Sequence, residues 1–200
     1  WRRVLTVEVR AGRDALTNGV APWQDQAGSL RYSRSHRIGA GLTTERLQRF
    51  GFDDRRLTAE LSVALGRRLT LGLDAETSDT HVMVPRQGGA VQLHVALPAG
   101  WGVSVRGGLR HFDANDVRGG SAALEKYWGN SMLSYMATPV QLARLAPVVT
   151  HGVRYTRAFG DRGSVTLQGS VGEEVEALVA TGPLVAPVRS LAAWGALPVA

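Results

Sequence analysis

Apolar and polar side chains alternate with a period of two residues through most of this chain, and no other feature restricts its fold as strongly. From Leu57 the run places Leu57, Ala59, Leu61, Val63 and Leu65 on one side and Thr58, Glu60, Ser62 and Ala64 on the other. After Gly66-Arg67-Arg68 it resumes, with Leu69, Leu71, Leu73 and Ala75 set against Thr70, Gly72, Asp74 and Glu76. Successive side chains of an extended strand point to opposite faces, so this pattern specifies a sheet with one apolar and one polar, charged face. Alternating segments of about ten residues, separated by turns, are the pattern of a transmembrane β-barrel.

Twelve such segments can be marked, at about 4–10, 28–34, 37–45, 57–65, 69–76, 91–97, 101–110, 119–128, 131–137, 148–159, 164–174 and 188–197. The ninth can be read in either phase. The connections predict a rhythm. Short turns fall at Ser35-His36, Gly66-Arg67-Arg68, Pro98-Ala99-Gly100, Gly129-Asn130 and Gly160-Asp161-Arg162, and longer polar stretches at about 11–26, 46–55, 77–90, 138–147 and 175–186. Tight turns at one end and longer loops at the other are expected of an up-and-down antiparallel barrel rather than a Greek-key sandwich. Trp101, Tyr127, Trp128, Phe159 and Trp194, with Tyr32, lie close to the short turns and predict an aromatic girdle at one membrane interface.

Composition removes several alternatives. The chain has no cysteine, so it can hold neither disulfides nor a thiolate metal site. No apolar run reaches the roughly 18 residues of a membrane helix; the nearest, at 183–200, is broken by Arg189 and by prolines. The net charge of +6 is carried by arginine, Lys126 being the one lysine. These arginines are spread along the beat rather than gathered into a basic patch, which argues against nucleic acid as a partner. Arg13, Arg46, Arg49, Arg86 and Arg118 fall in or beside the longer connections, where planar guanidinium forks could pair with lipopolysaccharide phosphates. Residues 1–200 read as one outer-membrane barrel domain. It begins at Trp1 like a processed or trimmed segment and stops at Leu197-Pro198-Val199-Ala200, which looks like the opening of another turn. About twelve strands are visible and about fourteen are expected of the complete protein, since an unclosed edge in lipid leaves backbone groups unpaired.

The alternation assigns Glu8, Arg10, Arg31, Glu45, Glu60, Asp74, Glu76, His94, Arg106, Arg110, Glu125 and Arg154 to the inner face. Mixed charges there can interlock as a plug, or line a polar passage for a hydrated or anionic solute. No catalytic, cofactor-binding or metal-ligating residue is expected. His81, His94, His111 and His151 lie in no nucleophile-elbow motif, and Glu173, Glu174 and Glu176 lack the spacing of a calcium loop. Gly88-Gly89 and Gly107-Gly108 match no phosphate loop and read as strand or turn glycines. Two alternatives stay open: a membrane-embedded hydrolase or acyltransferase using His111 or His151, and a soluble ligand-binding β-barrel.

Several short stretches bear on family. Pro85-Arg86-Gln87-Gly88-Gly89 is followed by Gly100-Trp101-Gly102, Gly107-Gly108-Leu109-Arg110-His111-Phe112 and Leu124-Glu125-Lys126-Tyr127-Trp128-Gly129, with Arg49-Phe50-Gly51-Phe52-Asp53-Asp54 upstream. In these residues the chain resembles the YaiO-type outer-membrane β-barrel family. The resemblance implies a bacterial outer-membrane barrel working beside a periplasmic helical-repeat or polysaccharide-synthesis partner, in export or display of a surface polysaccharide. It implies no catalytic residue.

Overall fold

The computed structural model describes residues 3–14, 23–35, 37–49, 51–143, 145–159, 163–178 and 182–196, without the side chains of 14, 23, 49, 174–178, 182–184, 186 and 196. His36, Phe50, the turn 160–162, residues 197–200 and the side chains of Arg49, Glu174 and Glu176 therefore lie outside the described residues. Twelve strands follow one another: β1 Arg3–Asp14, β2 Trp23–Arg34, β3 Ile38–Arg49, β4 Phe52–Ala64, β5 Leu69–Thr80, β6 Gln87–Leu97, β7 Trp101–His111, β8 Asp116–Trp128, β9 Ser131–Leu142, β10 Val148–Phe159, β11 Gly163–Leu178 and β12 Gly182–Ala196. All belong to one sheet in chain order, each strand antiparallel to the one before it. The fold is all-β and up-and-down, as the alternation predicts.

The strands are longer than their apolar beat. The stretch 46–55, read as a loop, is mostly strand, and β3 and β4 are joined through residues 50–51 alone. Likewise 175–186 contracts to a connection at 179–181, and 77–90 to one at 81–86. The ladder needs only backbone donors and acceptors, so it runs on past the last apolar residue wherever polar side chains can pair across it. Arg46 and Asp53 do so, with Arg46 Nε donating to Asp53 Oδ1 at 2.9 Å. The extra length ends in an irregularity on β4 and β5, where Arg55 pairs Thr80 but Arg56 pairs Ser78. There the Ser78 hydroxyl donates to the Arg55 carbonyl at 2.5 Å, satisfying a group that the bulge would leave without a partner.

The tight turns follow from local chemistry. In the Pro98–Gly100 turn Ala99 and Gly100 both have positive φ, 56° and 72°. A Cβ on Gly100 would sit 2.4 Å from the Tyr127 carbonyl oxygen, so both the dihedral and the space require glycine.

Register fixes the two faces. Leu61 pairs Leu73, Leu73 pairs Val91, Leu93 pairs Val105, and Val103 pairs Leu124. On the ambiguous β9, Leu133, Tyr135 and Ala137 continue the apolar face, while Met132, Ser134 and Met136 join the polar one. The apolar face is uncovered: Leu57, Leu93, Val105, Leu124, Val153 and Leu167 are each 45–53% exposed. Buried apolar side chains among the described residues reduce to Val84, Pro85, Leu142 and Val148, all at the end opposite the short turns. Two girdle assignments need correction. Trp194 pairs Thr166, whose hydroxyl lies 2.9 Å from that of Thr156 on the polar face, so Trp194 belongs to the polar side. Tyr127 also points to the polar side and donates to Glu125 Oε2 at 2.6 Å. Ala192, Ala193 and Trp194 carry too little alternation to set a phase, and pairing with β11 sets it instead. Trp101, Trp128 and Phe159 stay on the apolar face near the short turns.

Candidate functional site: the charged face of the sheet

All nine residues predicted to line the polar face, Arg10, Arg31, Glu60, Asp74, His94, Arg106, Arg110, Glu125 and Arg154, fall on that one face. The structure resolves them into a ladder of ion pairs and a separate hydroxyl-rich patch.

The ladder crosses seven strands. Arg10 Nη2 reaches Glu45 Oε1 at 3.1 Å and its Nε lies 3.4 Å from Asp25. Glu45 is shared with Arg56, whose Nη1 contacts Glu76 Oε2 at 3.1 Å. The other oxygen of Glu76 accepts from Arg110 Nε at 2.7 Å. Alongside run Arg31 with Glu60 at 3.7 Å and Arg106 with Asp74 at 2.8 Å. Four of these pairs span two strands, and three of the four do so over a small residue lying directly between in register. Ala27 lies between Arg10 and Glu45, Gly41 between Arg31 and Glu60, and Gly88 between Glu76 and Arg110. A Cβ on Gly88 would meet Glu76 Oε1 at 2.8 Å and Arg110 Cγ at 3.1 Å. Of the strand glycines of the sequence reading, Gly88 is thus a clearance for charged side chains to meet.

Arg56, Asp25 and Asp54 were missed as members of this face. Arg56 is in phase with Thr58 and Glu60, so extending the beat by one step finds it. Asp25 and Asp54 lie in stretches whose polarity reads as loop. Asp54 is fully buried, and its carboxylate accepts from the backbone N–H groups of Val82, Met83 and Val84 at 3.2, 2.5 and 3.1 Å. This ties the 81–86 connection to the polar face at its far end. Among the strand residues whose side chains are described, this face carries six arginines, Arg10, Arg31, Arg56, Arg106, Arg110 and Arg154. Facing them are eight carboxylates, Glu8, Asp25, Glu45, Asp54, Glu60, Asp74, Glu76 and Glu125. A cavity of about 640 Å³ opens over the ladder between Arg10, Arg31, Glu60, Asp74 and Arg106.

The second region lies on β6 to β11. His94 Nδ1 is 2.9 Å from Ser104 Oγ, and Ser104 donates to Glu125 Oε1 at 3.5 Å. A serine, a histidine and a carboxylate are therefore adjacent, but not in the order nucleophilic catalysis needs. The serine and the acid share one ring nitrogen, Nδ1, instead of occupying opposite ones. His111 Nδ1 pairs with Asp116 at 2.7 Å, and His151 Nδ1 lies 2.7 Å from the Tyr135 hydroxyl on the apolar face. Neither of these two has a serine hydroxyl among its described hydrogen-bond partners. Arg154 makes no described ion pair, and its buried Nε has no hydrogen-bond partner. It borders a cavity of about 210 Å³ with Gln92, Ser121, Ser134 and Gln168.

At the end opposite the short turns, the Arg46–Asp53 pair is the clearest electrostatic feature. Hydrogen bonding from Arg46 holds the Asp53 carboxyl below its ordinary 3.8, at about 2. What the fold and this face define is a class: a two-faced, up-and-down antiparallel sheet with an interlocked polar side and a bare apolar side. No protein-family model and no curated protein matches the chain.

Proposed function

We propose that this chain is a bacterial outer-membrane β-barrel, a non-enzymatic pore or anchor that serves polysaccharide export or display together with a periplasmic partner. The bare apolar face carries this reading. Twelve consecutive strands turn most of their leucines and valines to one face with nothing packed on them. Soluble monomers rarely expose contiguous apolar patches beyond a few hundred Å², whereas hydrocarbon accepts such a face and demands in return that every backbone group be paired within the sheet. The opposite face would then line the interior, with phospholipid and lipopolysaccharide surrounding the wall.

The ion-pair ladder favours the more closed variant, because each described arginine on the polar face from β1 to β7 already has a carboxylate partner. Any current that passes should prefer cations slightly, since the described carboxylates outnumber the described arginines on this face. Refolding into detergent, with boiled and unboiled gel mobility compared, tests the membrane reading. A heat-modifiable band with β-type circular dichroism is expected, and a folded monomer in plain buffer would refute the reading. Planar-bilayer recording then separates pore from plug.

A further inference from the structure

We propose that the short-turn rim is a seat for anionic phospholipid headgroups, an inference that rests on the membrane reading above. Antiparallel register gathers the connections at 35–37, 65–68, 98–100 and 129–130, the start of β1 and the end of β10 at one end of the sheet. Arg3, Arg37, Arg67, Arg68 and Arg157 are exposed there, and Lys126 stands beside them. Among the described residues, no Asp or Glu occupies those turns or the apolar side of the adjoining strand ends. The nearest acid, Glu125, faces the polar side and is held by Tyr127 and Ser104. In sequence the remaining turn, 160–162, adds one charge of each sign and leaves this balance unchanged.

The opposite rim is different. There Arg13, Arg46, Arg55, Arg86 and Arg118 stand among Asp53, Asp79, Asp113, Asp116 and Glu173, and Arg46 is bound to Asp53. The charge asymmetry coincides with an aromatic one. Tyr32, Trp101 and Trp128 lie on the apolar face close to the short turns, and no described Trp or Tyr side chain holds the equivalent level at the other rim, whose described aromatic rings are Phe52 and Phe112. Amphipathic rings settle at the glycerol and carbonyl level of a bilayer, and cations one step further out meet the phosphates. Lys126 shows the geometry directly. Its stem starts on the apolar face, its ammonium lies 4.7 Å over the Trp101 ring, and it donates to the Ala99 carbonyl of the turn at 2.6 Å. The turn arginines present forks suited to phosphodiester oxygens.

The test is insertion of the whole chain into phosphatidylcholine vesicles with and without about 30 mol% phosphatidylglycerol, followed by heat-modifiable mobility. Partitioning should favour the anionic vesicles at least tenfold, with each turn arginine contributing about fivefold at low salt. Arg37→Gln/Arg67→Gln/Arg68→Gln should remove most of the preference, while Arg13→Gln/Arg55→Gln/Arg118→Gln should leave it intact. If the first triple variant fails to fold, the unaltered chain still decides the matter. Its preference must collapse at about 0.5 M salt and must survive about 10 mM inorganic phosphate at matched ionic strength. Equal insertion into both vesicles overturns the seat and leaves the membrane reading standing. A preference abolished by phosphate alone, or by the second triple variant, also overturns it. Insertion into neither vesicle overturns both proposals.

Discussion

Glu76 on β5 and Arg110 on β7 meet at 2.7 Å across an intervening strand, and they can do so because the residue between them in register is Gly88. The same device joins Arg10 to Glu45 over Ala27 and Arg31 to Glu60 over Gly41. In each of these three pairs the charges stand two strands apart and the strand between contributes the clearance. Adjacent-strand pairing alone would leave these long side chains crowded side by side.

Filling the clearance should therefore break the pair. Gly88→Val pushes a side chain into Glu76 and Arg110 and is expected to cost about 1–3 kcal/mol. Gly107→Ala, whose Cβ would meet nothing within 4 Å, should be close to neutral. Urea unfolding of the two variants in the same detergent compares them directly.

Ion pairs in the ladder differ in worth because they differ in exposure. Arg56 joins Glu45 and Glu76, which are only 11% and 7% exposed and keep Arg10 and Arg110 as their second partners, so Arg56→Gln takes one of two cations from each nearly buried carboxylate and should cost about 1–3 kcal/mol. Arg31 and Glu60 are 58% and 46% exposed, and Arg31→Gln should cost less than about 1 kcal/mol. Equal losses in equilibrium unfolding would contradict the ladder as described.

Asp54 should act as the anchor of the 81–86 connection. Asp54→Ala removes the acceptor of three backbone N–H groups and is expected to cost about 2–4 kcal/mol, concentrated locally. Limited proteolysis should then cut between His81 and Arg86, and cleavage unchanged from the parent chain would count against the anchor.

A lipid-facing wall should punish charge according to depth. Val105→Arg, placed between Leu93 and Ala122 in register, should cost about 2–4 kcal/mol in bilayers. Val103→Arg lies two residues nearer to Trp101 and the turn, so its cost should be smaller. Folding in lipid that is indifferent to both substitutions would argue against the assignment of faces.

The Arg46–Asp53 pair at the far rim should respond to acid. Asp53 titrates below its ordinary value when folded, so its contribution is present above pH 3.8 and disappears as pH falls through about 2. Amide exchange at 51–53 should accelerate over that interval. In Arg46→Gln the exchange should already be fast at pH 5.

The sequence by itself determined that strands form, which side of most of them is apolar, and that the tight turns need residues such as Gly100. These are local matters, settled by period and by backbone sterics. It even placed Arg106, Asp74 and Glu125 on the correct face, because alternation carries that information wherever it is strong. Where alternation fades, at 192–194 and along β9, only hydrogen bonding to a neighbouring strand chose the phase, and Trp194 went to the polar side. Strand ends were illegible for a related reason: Arg46 and Asp53 look like loop residues until their pairing shows that the ladder continues between them. Tertiary structure alone decided which arginine meets which carboxylate, since partners two strands apart are separated by up to 35 residues. It also decided that Gly88 is a clearance and that cations and aromatic rings share one rim, because register rather than spacing along the chain brings those residues together.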